Sequence, residues 1–141
     1  MKRGLCCIAI ILALAIMLAS CGSAPTINEN PQGLDFYLQD DGTYAVEIGH
    51  AKLLSKVEIP ATYNGKAVTK IISSIQANDA LVEIIIPDSV TSISHRAFNA
   101  CGSLKSIKYR GTESQWQEIN KGVNWHPATG EYTITYNFTG K

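Results

Sequence analysis

One apolar frame recurs through the chain and limits what it can fold into. It reads Leu54-x-x-Val57-x-Ile59, then Leu81-x-x-Ile84-x-Ile86, then Leu104-x-x-Ile107-x-Tyr109, with Pro60 and Pro87 closing the first two copies. The frame begins again after 27 residues and then after 23. A unit of that length cannot bury its apolar side alone. It folds by stacking on the next unit, so that neighbouring turns of chain share one continuous core. The expected architecture is therefore mainly β, a short solenoid of two to three coils.

In each frame the last two apolar positions are two residues apart, the spacing of a strand with one side on a core. The expected core is Leu54, Val57 and Ile59 from the first coil, Leu81, Ile84 and Ile86 from the second, and Leu104 and Ile107 from the third. Pro87 ends the second strand without needing a ladder hydrogen bond, and Asp88-Ser89 makes a corner. Val90 and Ile93 then supply a second apolar edge, and Phe98 fills the middle of the coil. The first coil is longer through an excursion turning at Asn64-Gly65, and its return runs through Ile75. Such length changes fall in loops, because strands must stay in register.

The alternate positions of the frames face outward. Stacking places Lys56, Glu83 and Ser106 in one row, and Glu58, Ile85 and Lys108 in the next. Lys56 beside Glu83 reads as a cross-strand ion pair. Ile85 reads as an exposed apolar residue. The candidate binding face is accordingly Lys56, Glu58, Glu83, Ile85 and Lys108, because repeat proteins often bind through laterally ordered surfaces of this kind.

Both ends of the stack need closing. Residues 36–38 and 43–46 are β-prone, and Gln39-Asp40-Asp41-Gly42 between them is a hairpin turn that supplies a positive φ at the glycine. That hairpin is the expected N-terminal cap. The paired aspartates lack the further oxygen ligands and the closing glutamate of a calcium loop. At the other end Thr112-Glu113-Ser114-Gln115 has the form of a capping box opening a short helix, with Trp116 over the last core layer. Residues 132–138 then alternate apolar and polar, as a half-buried terminal strand does.

Ahead of the repeats, Lys2 and Arg3 precede an apolar run from Leu5 to Ala19, short for a membrane span and flanked in the manner of an export signal. It ends Leu18-Ala19-Ser20-Cys21, which resembles the lipobox of bacterial lipoproteins. That resemblance implies cleavage before Cys21 and acylation of its thiol, palmitate included. The expected organisation is a signal peptide over 1–20, a lipidated cysteine and flexible tether over 21–33, and a capped repeat domain over 34–141. The tether is rich in small and polar residues and would hold the domain about 20 Å from the bilayer. Two acyl chains make such an anchor durable where one would not.

Charge narrows the partners. Losing Lys2 and Arg3 leaves 10 of the 12 basic residues against 12 acidic ones. A slightly acidic chain has no electrostatic footprint for nucleic acid and no polybasic patch for anionic lipid, so membrane contact is expected through the lipid alone. Cys6 and Cys7 leave with the leader and Cys21 is acylated. Cys101 is then the one thiol of the exported domain, expected as a packed structural group, and no intramolecular disulfide is possible.

The segments IPATYNGKAVTKI and IIIPDSVTSISHRAFNACGSLKSI resemble the BspA-like leucine-rich repeats of bacterial surface proteins. Their proline, valine, isoleucine, phenylalanine, cysteine and leucine fall in step with that family's unit. The run TYNGKAVTKI is similar to its variant first unit, and YRGTESQW is similar to its closing element. Ser94 stands where the family usually has glycine, His95 where it often has an acid, and Gln76-Ala77 where the first unit has an aromatic pair. The resemblance implies a leucine-rich-repeat solenoid with a helix-plus-strand C-terminal cap, and adhesion as the class of activity. The expected partner is a host or matrix protein, or a glycan. The second expectation is a scaffold or accessory subunit docking to an envelope protein of the same cell. A monomer is expected in either case.

Catalysis finds little support in these residues. Asp88, Ser92, Ser94 and His95 lie close together in sequence, but neighbours on a strand or corner point different ways, and no Gly-x-Ser-x-Gly turn accompanies them. His50, His95 and His126 belong to different coils or caps with no ligand spacing. The sequence reading is a non-enzymatic chain without cofactor or metal.

Overall fold

The computed structural model describes residues 32–48, 54–73, 78–128 and 130–140. The leader, Cys21, His50 and the Ile75 to Ala77 return of the first coil lie outside the described residues. The three frames form strands β3 (Lys56–Glu58), β6 (Glu83–Ile86) and β8 (Ser106–Tyr109), and β10 (Thr133–Thr135) adds a fourth. All pair in parallel in the order β10-β8-β6-β3. The register is the one the frames require, with Lys56, Glu83, Ser106 and Thr133 in one row and Glu58, Ile85, Lys108 and Thr135 in another.

The return segments build the second sheet. β1 (Asp35–Leu38) and β2 (Tyr44–Glu47) form the expected hairpin, and β2 pairs in parallel with β5 (Lys66–Ile71). β7 (Ser92–Ile93) and β9 (Asn120–Lys121) extend the sheet in the order β1-β2-β5-β7-β9, while β4 (Thr62–Tyr63) folds back on β5 through Asn64 and Gly65. Both turn residues have positive φ, 49° and 72°, as a two-residue hairpin turn demands. The hairpin caps the stack by lengthening this sheet, which carries Val46 into line with Ile71 and Ile93.

The two sheets enclose one core. Val57, Ile84 and Ile107 stack from the first sheet, and Val46, Ile71 and Ile93 from the second, all buried. Leu81, Val90, Phe98 and Leu104 fill the layers between, and Phe98 is wholly buried. Leu54 is half-buried against the cluster. Ser89 knits the corners by donating to the carbonyl of Val68 at 2.8 Å. Tyr109 and Trp116 meet edge to face at 5.1 Å and close the last layer.

The C-terminal cap is as expected in its helix and shorter in its strand. Helix α1 (Glu113–Glu118) opens with a capping box in which Thr112 and Gln115 satisfy each other's backbone N–H groups. Its far end is closed by Lys121, whose Nζ donates to the carbonyls of Trp116 and Ile119 and lies 5.0 Å from the Trp116 ring centroid. The terminal strand was expected over 132–138, but β10 stops at Thr135. Asn137 takes a φ of 52°, a left-handed conformation that no strand continues through. The chain therefore turns, and Phe138 swings onto the outer face of the sheet.

Candidate binding surface

The outer face of the first sheet holds four of the five residues expected there as accessible or half-accessible groups, and one that is covered. In the upper row Glu83 is gripped from both neighbouring strands. Its Oε1 lies 3.2 Å from Lys56 Nζ and its Oε2 lies 2.7 Å from Lys108 Nζ. The hydrogen bond from Lys108, joined by that from Lys56, holds the Glu83 carboxyl below its usual range against a burial effect of opposite sign.

The lower row is closed. Arg110 Nη2 reaches Glu58 Oε1 at 2.6 Å. Glu58 belongs to β3 and Arg110 follows β8, with β6 between them. The guanidinium therefore passes across β6, where Ile85 stands. It also donates to the carbonyl of Gly140 at 3.0 Å and to that of Phe138 at 3.4 Å. The Phe138 ring lies under two cations, 4.7 Å from Lys108 Nζ and 5.8 Å from the Arg110 guanidinium carbon, a favourable placement over an aromatic face. The strap is fixed by two backbone bonds, Asn137 N–H to Gly111 O at 2.8 Å and Phe138 N–H to Tyr109 O at 3.0 Å.

Ile85 is the residue that departs from expectation. It points away from the core, as its position between Ile84 and Ile86 requires, yet it is 0% exposed. The cause lies in distant parts of the chain, the Arg110 side chain and the tail at Phe138. Ile85 is thus a covered packing residue and has no surface with which to touch a partner.

The outer edge of β3 is also blunted. The Gln32 side-chain amide accepts from Glu58 N–H at 2.7 Å and donates to Glu58 O at 3.0 Å, mimicking one rung of a further strand. The chain is held at Gln32, inside the stretch read as tether. Gln32, Arg110 and Phe138 were not singled out from the sequence, and only the positive charge of Arg110, two residues past Lys108 on the same outward side, pointed toward this face.

The remaining candidates do not converge. Asp88 and His95 are exposed, Ser92 sits in β7, and among the described residues none of Asp88, Ser92 and Ser94 hydrogen-bonds to His95. Among the described residues there is also no group of three His, Cys, Asp or Glu side chains placed to hold a metal. Asp41 makes turn chemistry instead, accepting from Thr43 N–H at 2.9 Å and Thr43 Oγ1 at 2.7 Å. Cys101 is buried and free, and burial, followed by the charge of Asp79, pushes its thiol up to about 11. No described helix is long and apolar enough to cross a membrane.

No family model matches the chain, and no curated protein does. Among solved structures it is similar to a leucine-rich cell surface protein from Faecalibacterium prausnitzii A2-165, with 23% identity and a TM-score of 0.53. The match covers 73% of this chain and 28% of that one, so the chain spans little more than a quarter of its structural neighbour. At that identity the likeness is one of fold. Two parallel ribbons around a layered core and this likeness together make the chain a short leucine-rich-repeat solenoid.

Proposed function

We propose that the chain is a lipid-anchored bacterial surface protein whose repeat domain binds a macromolecular partner, non-catalytically, through the open row of its outer ribbon. The observation that carries this reading is the polar row Lys56, Glu83, Ser106 and Thr133, presented in register by four parallel strands. Rows of this kind match repeating features on a partner, because neighbouring strands hold side chains at a fixed spacing of about 4.8 Å. Glu58 and Lys108 form its rim, next to the strap. The Leu18-Ala19-Ser20-Cys21 leader supports the anchor, and the description of the structural neighbour as a cell surface protein supports the location.

The test displays the lipidated full-length chain in nanodiscs and offers host matrix proteins, glycans and the cell's own envelope proteins separately. Saturable capture of a matrix protein or glycan, lost in Lys56→Glu combined with Ser106→Glu, is the expected result. Capture of envelope proteins alone would move the reading to an intrinsic scaffold, and no capture of any class would sink it. Cys21→Ala should abolish palmitate labelling, and persistent labelling would disprove the anchor.

A further inference from the structure

Where the corner after β6 faces helix α1, the surface opens into a cleft of about 250 Å³. Asp88, from the corner, and Glu118, the last residue of α1, both line it. Neither carboxylate forms an ion pair among the described residues, and Lys121, the nearest cation to Glu118 along the chain, is spent on the helix-end carbonyls. At the floor lies Tyr109, whose side chain is all but buried, 1% exposed. Its hydroxyl makes no hydrogen bond among the described residues, although it lines the cleft. Burial, then the charges of Asp88 and Glu118, raise the Tyr109 phenol above its ordinary value, so both carboxylates act on that oxygen. The hydroxyl is not sealed off from solvent, so its oxygen is available as an acceptor at the cleft.

We propose that this cleft receives an alkylguanidinium group, the arginine side chain of a partner polypeptide. Its volume lies below the roughly 300–1,000 Å³ of pockets for drug-sized ligands, which suits one side chain. The chemistry selects the head group. Acceptors stand on separate elements: two carboxylates, the Tyr109 oxygen and the Thr91 hydroxyl. A planar guanidinium carries five N–H donors in a fixed fork and reaches several such acceptors at once, whereas an ammonium offers three donors from a single point. Val90 and Ile119 supply apolar wall for the alkyl stem. The cleft takes Tyr109 from β8 but none of the outward row Lys56, Glu83, Ser106 and Thr133, so failure at one site leaves the other testable.

The experiment titrates the full-length chain in detergent micelles, at low salt, with butylguanidinium, butylammonium, free arginine and the capped peptide acetyl-Ser-Arg-Ser-amide. Calorimetry gives the affinity. Trp116 fluorescence reports locally, its ring lying 5.1 Å from Tyr109. Saturable binding of butylguanidinium is expected, at least threefold tighter than butylammonium, with the capped peptide tighter than free arginine. Asp88→Asn with Glu118→Gln should weaken it tenfold or more. Tyr109→Phe should weaken it several-fold while leaving the melting temperature unchanged or raised, which separates ligand contact from a structural role. Equal affinity in the double variant, or no saturation with butylguanidinium, overturns the site. Tighter binding of free arginine than of the peptide overturns the polypeptide source.

Discussion

Arg110, the residue after β8, and Glu58 of β3 are 52 residues apart in sequence and meet at 2.6 Å across β6, the strand between β8 and β3. Their bond, together with the tail at Phe138, turns an outward-facing isoleucine into a buried one. Phe138→Ala removes the ring beneath both cations and should re-expose Ile85, with faster amide exchange at residues 138–140 and a loss of about 1–2 kcal/mol from the uncovered apolar area. Arg110→Gln should loosen the same amides with a smaller loss, about 1 kcal/mol or less, because both partners are partly solvated. Unchanged exchange in both variants would show that the strap does not cover this face.

Phe98 occupies the centre of the second coil, buried completely, its ring 6.3 Å from Trp125 and its N–H donating to Trp125 O at 2.9 Å. Phe98→Ala should cost about 3–5 kcal/mol, the usual scale for emptying a buried aromatic site. In so short a stack that is a large share of the total, so denaturant melts should show a greatly lowered midpoint or no folded baseline. A loss under about 1 kcal/mol would mean that the coil collapses onto the vacated space.

Glu83 supplies an acid-sensitive clasp. Its folded-state value is depressed by Lys108 and Lys56, so its contribution is complete above the ordinary glutamate range and is lost as pH falls through that range toward the depressed value. Melting temperatures measured from pH 7 downward should fall less steeply for Glu83→Gln than for the parent chain across that interval. Parallel curves would remove Glu83 from the acid response.

Cys101 should resist modification. With its thiol pushed up to about 11 and its side chain buried, the reactive thiolate is scarce and shielded at pH 8. Iodoacetamide labelling of the folded domain should proceed at the rate of opening, at least a hundredfold slower than in denaturant. Rapid labelling without denaturant would contradict the packed position.

Gly122 marks a close approach between coils. A Cβ there would stand 2.2 Å from the His95 backbone nitrogen and 2.6 Å from its Cα. Backbone cannot swing aside as a side chain can, so Gly122→Ala should cost about 1–3 kcal/mol by overpacking. The mirror change at Gly42, which has open space but a φ of 82°, should be penalised through conformation alone. Thermal melts of both variants check the pair.

The frames, the core from Val57 to Ile107, the outward rows and the capping box were legible in the sequence, because each rests on a local period or on residues a few positions apart. Lys56 opposite Glu83 followed from the same spacing, and the structure pairs them at 3.2 Å. The burial of Ile85, the early end of β10 and the cleft at Tyr109 were not legible. Each depends on groups brought together from different coils: Arg110 and Phe138 over β6, Asn137 bending the tail away, Asp88 and Glu118 lining one cleft. The repeat by itself determined that the chain stacks and which side of each strand faces inward, since a shift of one residue would expose the whole core. Only the tertiary structure decided which part of the outer ribbon stays open, because cover is supplied by side chains whose sequence distance carries no period.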